Sequence, residues 1–251
     1  MRYILWLTLL LTGTKSQSQE LHFTTGPFLG EPMVFYGGNN FIGGLYKDVS
    51  VELAKHLQKK PTFFTLPRER VYTFLKGTGL KSMSCFANPL WSRGVKGLQW
   101  SKPYMKSNSV YMTLSTSNLT KKLIQNKNGL RVGVIKGYKY SGFLGEKFSN
   151  GNLTRIDSKT AKENIYKLLN GKIDLIVHHE LELRYQKNLM ALKNKLRILP
   201  TYNNQYDIHC AWAESSNINI ERVNSALDKI VSSKFISKQL VKYGVSSLNS
   251  N

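Results

Sequence analysis

Apolar side chains recur along the chain at two spacings, one typical of helices and the other of strands. Between positions 46 and 57, apolar residues return every four positions, which predicts a helix with one buried face. Residues 62–66 form a short apolar run that ends at Pro67, which predicts a strand. Residues 71–76 predict a second helix, because glycines follow at positions 77 and 79.

The same alternation continues to the end of the chain. It predicts strands at 130–135, 173–177, 196–199 and 208–213, and helices at 160–169 and 219–243. Strands and helices that alternate in this way favour an α/β fold with mainly parallel sheets. In such sheets, ligands bind beyond the carboxyl ends of the strands.

The N-terminus has the layout of a secretory signal. Arg2 gives it a positive start, residues 4–11 are apolar, and Ser16 and Ser18 stand at the −3 and −1 positions of a cleavage site. The apolar run is too short to cross a bilayer as a helix. We therefore predict a cleaved signal peptide over residues 1–18 and a mature protein located in the periplasm.

The chain is strongly basic, with 36 lysines and arginines against 15 acidic residues and a net charge of +21. Nucleic-acid binding is one interpretation of such a charge. The lysines, however, are scattered along the sequence. There is no arginine-rich run, and basic residues do not alternate with aromatic ones. We favour a lysine-rich solvated surface and expect no nucleic-acid partner, although the charge suits an anionic ligand.

The chain contains two cysteines, Cys85 and Cys210. Export permits a disulfide between them, but two separate buried thiols fit the sequence equally well. There is no CxxC or HxxxH spacing, and we expect no metal and no cofactor. No nucleophile elbow, phosphate-binding loop or dinucleotide fingerprint occurs, and we expect no enzymatic activity.

Five segments resemble motifs of one family in the same order along the chain. They are GGLYKDVSVELAKHLQ, NPLWSRGVKGLQWSKPY, GLRVGVIKGYKY, LLNGKIDLIV and ERVNSALDKIVSSKFISKQLVKYG. Together they resemble the bacterial extracellular solute-binding proteins of family 3, which are the amino-acid-binding components of ABC importers. The resemblance covers nearly the whole mature chain.

The resemblance implies a type II periplasmic-binding-protein-like fold, in which two α/β lobes are joined by a two-strand hinge and close on a ligand. Lobe 1 would comprise residues 19–108 and 203–251, and lobe 2 residues 109–202. The implied function is capture of a small polar ligand, an amino acid or related carboxylate, by a monomer that delivers it to an ABC permease. A stand-alone sensory or accessory binding protein is the alternative, followed by an exported dehydratase-like enzyme on the same fold.

The resemblance also implies ligand-binding residues. Arg93 matches the arginine that holds the ligand carboxylate in the family, a task that suits its planar guanidinium. Asn88 lies near a position that often carries serine or threonine, but it also suits a turn before Pro89. The segment from Arg93 to Trp100 is one residue longer than usual, and this difference places Trp91 in the cleft as a further candidate.

Four more candidates surround the expected cleft. Arg70 lies at a strand end, where it is a second anion contact or a surface residue. Tyr36 stacks on the ligand or packs in the core. Tyr138 and Tyr140 lie in the turn at 136–141, which precedes a helix whose N-terminus favours an anion, and they line the cleft or pack on the surface.

The largest departure from the family follows Asp174. The amino-acid binders place an aspartate five residues further along, where it pairs with the ligand's ammonium group. That position is His179 here, and Glu180 follows it. Either residue is a candidate for this role, and exposed strand-end residues remain an alternative. If neither contacts an ammonium group, the ligand lacks one.

Overall fold

The computed structural model describes residues 20–92, 94–140 and 142–245. The predicted signal peptide and Arg93 lie outside this part of the chain. Within it, no helix is long and apolar enough to cross a membrane.

Strands and helices alternate along the described chain. The strands are β1 (Glu20–Thr25), β2 (Phe35–Gly37), β3 (Asn40–Gly43), β4 (Lys60–Thr65), β5 (Ser82–Ala87), β6 (Leu98–Trp100), β7 (Met105–Leu114), β8 (Leu130–Ile135), β9 (Leu153–Ser158), β10 (Leu175–His179) and β11 (Leu196–Ala213). The α-helices are α1 (Leu45–His56), α2 (Val71–Gly77), α3 (Lys121–Asn126), α4 (Gly142–Ser149), α5 (Ala161–Leu169), α6 (Glu180–Leu189), α7 (Ile220–Ser232) and α8 (Phe235–Lys242).

Lobe 1 is built on the strand order β4-β1-β5-β11, with β6 paired to β11. Strands β4, β1 and β5 run parallel, and the end of β11 runs antiparallel to β5. The core of the lobe includes Phe23 of β1, Leu53 of α1, Trp212 of β11 and Leu227 of α7, all with no exposed surface. Helices from both ends of the chain therefore cover this half of the sheet.

Lobe 2 continues the sheet in the order β7-β10-β8-β9. Strands β8, β9 and β10 are parallel, and β10 is antiparallel to β7. Ile176 of β10 packs with Ile165 of α5, whereas Leu175 and Val177 pack in a second cluster with Leu144 of α4. Successive side chains of β10 therefore fill both faces of the sheet, as buried parallel sheets require.

Strands β7 and β11 form the hinge because they run antiparallel to each other through both lobes. The sequence predicted two separate strands at 196–199 and 208–213, and the structure corrects this to one strand of 18 residues. Its pairing with β7 shifts register between Pro200 and Gln205. Proline has no N–H to donate to the ladder, and the sequence interpretation took it as the end of a strand.

Several predicted elements are confirmed. Strand β8 has the predicted bounds, and α1, α2, α5 and β4 differ from the predicted ranges by at most two residues at either end. Thr160 caps α5 by accepting a hydrogen bond from the backbone N–H of Glu163.

Strand β10 is confirmed by the same criterion, because it lies two residues later than predicted at each end. One predicted element is wrong in extent. The single helix predicted over 219–243 is two helices, because Lys234 takes a left-handed conformation with φ of 56° between α7 and α8. That conformation interrupts the helix while the apolar spacing continues on both sides of it.

Cys85 and Cys210 form a disulfide that joins β5 to β11 across 125 positions of sequence. The pairing that the sequence left open is present in the structure. It links a strand from the first part of lobe 1 to the strand by which the chain returns from lobe 2.

Candidate ligand-binding site

The strands β1, β4 and β5 are parallel within lobe 1 and β8 and β10 are parallel within lobe 2, and the carboxyl ends of the two sets meet where the lobes face each other. A cavity of about 80 Å³ lies there. It is lined by Phe28, Leu29, Arg68, Val71, Tyr72, Ser84, Phe86, Trp91, Ser109, Tyr138, Lys139, Tyr140, His178, His179 and Tyr206. A water molecule needs about 10–15 Å³ of such volume, and the cavity therefore has room for roughly five to eight waters or one small ligand.

Both lobes contact each other around this cavity. The hydroxyl of Tyr138, in the turn after β8, donates a hydrogen bond of 3.0 Å to the backbone carbonyl of Phe28, which follows β1. Further from the cavity, the Gln186 amide donates to the Glu31 carboxylate at 3.1 Å. These contacts hold the lobes in a closed arrangement.

Arg68 brings a positive charge into the cavity from lobe 1. Its guanidinium carbon lies 4.4 Å from the ring centroid of Tyr138 and 5.9 Å from that of Phe28. Cations placed over aromatic faces are attracted by the ring electrons. Among the described residues, no aspartate or glutamate forms an ion pair with Arg68. Its charge is therefore left to attract a ligand anion.

His179 is buried at the end of β10, with 9% of its surface exposed. Its Nδ1 hydrogen-bonds the Ser107 hydroxyl at 3.1 Å, and the rings of Phe86, Trp91 and Tyr138 surround it. Burial, with the neighbouring His178, lowers the pKa of His179 to about 4. The imidazole is therefore neutral at physiological pH and offers the cavity a hydrogen bond without a full charge.

His178 lines the same cavity and forms a buried pair with Glu182 of α6. The His178 Nε2 and Glu182 Oε2 atoms are 2.5 Å apart, and both side chains are almost fully buried. The pKa of Glu182 is lowered: burial opposes ionisation, but the charge and hydrogen bond of His178 and a bond from the Gly30 backbone outweigh it. Glu182 of lobe 2 therefore reaches the backbone of lobe 1.

Aromatic rings form most of the remaining wall. Trp91 lies between lobe 1 and the hinge, with ring centroids 6.0 Å from Phe86 and 5.4 Å from Tyr206. Tyr72 stands on α2, and burial raises its pKa to about 12. Such a wall favours a ligand with a flat or apolar body.

The structure brings together four of the residues that the sequence singled out. Trp91, Tyr138, Tyr140 and His179 all line the cavity, from both lobes. In addition, the guanidinium carbon of Arg155 lies 5.6 Å from the ring centroid of Tyr140. These four stay predicted ligand contacts, now located at one site.

Four other predicted residues lie outside the cavity lining. Both polar atoms of the Asn88 amide bind backbone groups, those of Asp207 and Leu90, so that it serves the turn before Pro89. Arg70 is exposed at the end of a 3₁₀ turn, Arg68–Arg70.

Tyr36 packs against Phe41 and the core of lobe 1, and burial raises its pKa. The carboxylate of Glu180 binds Arg184 on the next turn of α6 and Asn108 on the hinge strand β7.

Sequence reasoning missed several lining residues, and Arg68 matters most among them. It directly follows Pro67 at the carboxyl end of β4, the place where α/β sheets bind ligands. That signal marks the segment after Pro67 without choosing between its arginines, and the sequence interpretation took Arg70, two residues further along. The orientation of the short 3₁₀ turn selects Arg68, and the turn was not predicted. Tyr206 was missed because it lies in the hinge strand, far from any family motif.

Within the described chain, no group of three or more histidine, cysteine, aspartate or glutamate side chains is arranged to hold a metal ion. The described side chains that line the cavity include no such group.

No family model matches the sequence, and no curated protein sequence matches it. Solved structures do match the fold. The GluR0 ligand-binding core in complex with L-glutamate covers 91% of this chain and 99% of its own, at 15% identity and a TM-score of 0.71. A substrate-binding protein of an ABC uptake transporter from Streptococcus pneumoniae, with bound histidine, covers 91% and 94%, at 16% identity and a TM-score of 0.69.

A third structure is the ancestral amino-acid-binding protein AncCDT-1, described as a precursor of cyclohexadienyl dehydratase. It covers 89% of this chain and 94% of its own, at 15% identity and a TM-score of 0.67. The fold of this protein is therefore that of the type II periplasmic binding proteins, with two α/β lobes and a two-strand hinge. Most of the similar structures are amino-acid-binding proteins.

Proposed function

We propose that this protein captures one small ligand, an amino acid or related carboxylate, between its two lobes and releases it unchanged. The cavity at the lobe interface carries this proposal, because residues of both lobes and of the hinge line it together. Arg68 and Lys139 supply positive charge and the aromatic rings supply an apolar wall, the combination that a small organic anion needs.

Arg93 is part of this proposal through its position in the NPLWSRG segment. It follows Trp91, which lines the cavity, by two residues. We propose that its guanidinium joins Arg68 in holding the ligand carboxylate. We likewise propose that the chain passes from lobe 1 to lobe 2 between residues 108 and 109 and returns to lobe 1 between residues 202 and 203.

The role that we propose is supply of the ligand to an ABC permease after export through the signal peptide at 1–18. The uptake-system proteins among the similar structures support this role, and the family resemblance points the same way. A binding protein without a transporter would have the same cavity. Ligand uptake by cells that carry or lack the gene separates the two roles, because only a transport protein makes uptake depend on it.

Catalysis on the same fold is a second candidate, favoured by one observation. His178 lines the cavity and is hydrogen-bonded to the buried Glu182, a pair of the kind that moves protons in enzymes. Mass spectrometry of a bound ligand after hours with the purified protein distinguishes the candidates. An unaltered ligand supports binding alone, and a dehydrated or otherwise altered one supports catalysis.

A thermal-shift screen tests the proposed function. The purified mature protein is heated with each of the twenty amino acids and with small mono- and dicarboxylates. A true ligand at about 100 times its Kd adds about 2.7 kcal/mol of stability, which is a rise of roughly 5–10 °C for a chain of this size. X-ray scattering with the same ligand gives a smaller radius of gyration. A protein that no compound stabilises, and whose scattering never changes, contradicts the proposal.

A further inference from the structure

The described side chains that line the cavity are positively charged or neutral. Arg68 and Lys139 line it, and among the described residues its lining includes no aspartate and no glutamate. A ligand ammonium group placed there would lie near two cations. It would lose its hydration without gaining a counter-ion. Desolvating an unpaired charge in this way is costly.

The two carboxylates nearest along the chain are already bound by other groups. Glu180 is held by Arg184 and by Asn108 of the hinge. The Oε2 atom of Glu182 is paired with His178, and its Oε1 is buried without a hydrogen-bond partner and is not part of a residue that lines the cavity. A ligand in the cavity reaches neither carboxylate unless this closed arrangement is rearranged.

His179 stands at the end of β10 inside the lining and brings no negative charge. Its lowered pKa of about 4 keeps it neutral at physiological pH. Its Nδ1 is used by Ser107. The neutral ring can form a hydrogen bond with a ligand, but it cannot form an ion pair with an ammonium group.

The rings of the lining favour a flat ligand body. Seven phenylalanine, tyrosine and tryptophan rings line the cavity, from lobe 1, lobe 2 and the hinge: Phe28, Tyr72, Phe86, Trp91, Tyr138, Tyr140 and Tyr206. A flat apolar body contacts ring faces and edges on several sides at once. A small polar body would leave most of this surface without a partner.

We infer that the ligand is a small carboxylic acid with a flat, mostly apolar body and without an ammonium group. This inference rests on the proposed function and narrows it, because it excludes the α-amino acids themselves. Arg68 would bind the carboxylate with two parallel hydrogen bonds, and the rings would enclose the body.

Matched ligand pairs test the inference. The pairs are 3-phenylpropionate with L-phenylalanine, 3-(4-hydroxyphenyl)propionate with L-tyrosine, and 3-indolepropionate with L-tryptophan. Within each pair only the ammonium group differs. Titration calorimetry at pH 7 is expected to give at least tenfold tighter binding for the acid of whichever pairs bind. An amino acid that binds as tightly as its acid, or tighter, overturns the inference.

Failure of the inference is distinguishable from failure of the proposed function. If none of the six compounds binds while another amino acid stabilises and closes the protein, the inference is overturned and the proposed function stands. If no compound of the whole panel binds, both are overturned.

Two sets of variants sharpen the test. Arg68→Gln is expected to weaken binding of the acid at least tenfold, whereas Arg222→Gln, which removes the same charge from the exposed face of α7, leaves it unchanged. His179→Asp adds a carboxylate to the lining and is expected to raise the affinity for the amino acid relative to its acid. Asparagine has nearly the same shape as aspartate but no charge. The His179→Asn variant should therefore keep the wild-type preference for the acid over the amino acid. A preference that stays the same in His179→Asp argues against the inference, provided that circular dichroism shows that the variant is folded.

Discussion

The guanidinium of Arg68 in lobe 1 lies against the ring of Tyr138 in lobe 2, 4.4 Å from its centroid. Next to this contact, the Tyr138 hydroxyl donates to the Phe28 carbonyl of lobe 1. One tyrosine therefore both orients the candidate anion-binding arginine and joins the lobes. The proposed ligand contact and the contact between the lobes therefore share one side chain.

Removal of the Tyr138 hydroxyl is expected to weaken ligand binding without unfolding the protein. Tyr138→Phe keeps the ring under Arg68 and loses the hydrogen bond to Phe28, a bond with a net contribution of about 1 kcal/mol. Calorimetry should show a loss of affinity of about two- to tenfold. Tyr166→Phe, on the exposed face of α5, is the matched control and should bind as the wild type does. Equal affinity in the two variants would mean that this bond does not support closure.

Arg93→Ala tests the residue that the family resemblance selected. We expect the variant to keep its melting temperature without ligand, and to lose most of the ligand-induced rise, because a charge-assisted contact to the carboxylate is missing. Differential scanning fluorimetry with and without ligand measures both quantities. A normal ligand-induced rise in the variant removes Arg93 from the site.

Gly30→Ala is expected to oppose lobe closure. A Cβ atom at this position would lie 2.3 Å from the Oε2 atom of Glu182, too close for any real contact. The carboxylate must move, and with it the buried pair that Glu182 forms with His178. We expect weaker ligand binding and a larger radius of gyration with ligand than in the wild type.

Gly77→Ala is the control for this variant, because a Cβ there meets no atom within 4 Å and the residue does not need a positive φ. Scattering curves of Gly30→Ala that match those of the liganded wild type would contradict the expected effect.

The disulfide should contribute strongly to stability. It closes a loop of 125 residues between Cys85 and Cys210, and removal of a native disulfide costs about 2–5 kcal/mol. The double variant Cys85→Ser, Cys210→Ser is expected to unfold at a lower urea concentration than the oxidised wild type. Under reducing conditions, the urea midpoint of the wild type should approach that of the double variant. Identical urea midpoints for the oxidised wild type and the double variant would show that the bond adds no stability.

Stability should fall as the pH is lowered, partly because of His179. Its pKa is about 4 when folded against an ordinary value of 6.5, so the unfolded chain binds more protons between these values. The contribution of His179 to stability is complete above pH 6.5. It decreases by roughly 3 kcal/mol as the pH falls to about 4.

Glu182 acts in the same direction at lower pH. Its folded pKa is lowered, and the stability from its ionised form is lost as the pH falls from its unfolded pKa through the folded one. Urea unfolding from pH 4 to 7 measures chiefly the effect of His179, and continuing the series below pH 4 adds that of Glu182. The His179→Gln variant should have a free energy of unfolding that depends less on pH between pH 5 and 6.5. An unchanged pH dependence would contradict the lowered pKa of His179.

The sequence predicted those elements whose spacing reflects local packing. The four-residue apolar repeat gave α1 because the same side chains that set the repeat, Val49 and Leu53, are buried against lobe 1. Strand β8 was found at its observed bounds because the turn Lys136-Gly137 follows it. Where backbone conformation departed from the local pattern, at Lys234 and around Pro200, the predicted bounds were wrong.

The candidate site was predicted only in part. Trp91 was singled out by the unusual length of the segment from Arg93 to Trp100, Tyr138 and Tyr140 by the turn that precedes a helix, and His179 by its position five residues after Asp174. Arg68 and Arg70 could not be told apart by sequence, since they have the same chemistry and lie two positions apart. Only the direction of the 3₁₀ turn places one of them in the cavity and leaves the other exposed.

The sequence alone determined the alternation of strands and helices, and thereby the α/β class, because apolar periodicity follows from burial within each element. Tertiary structure decided which polar groups are left for a ligand. Glu180 and Glu182 are carboxylates in the sequence, but Arg184, Asn108 and His178, which lie beside them only in the folded chain, already bind them. Charge in a binding cavity depends on these partners. Two of them lie four positions away along the chain and Asn108 lies 72 positions away, and only the folded backbone brings all three into contact with the carboxylates.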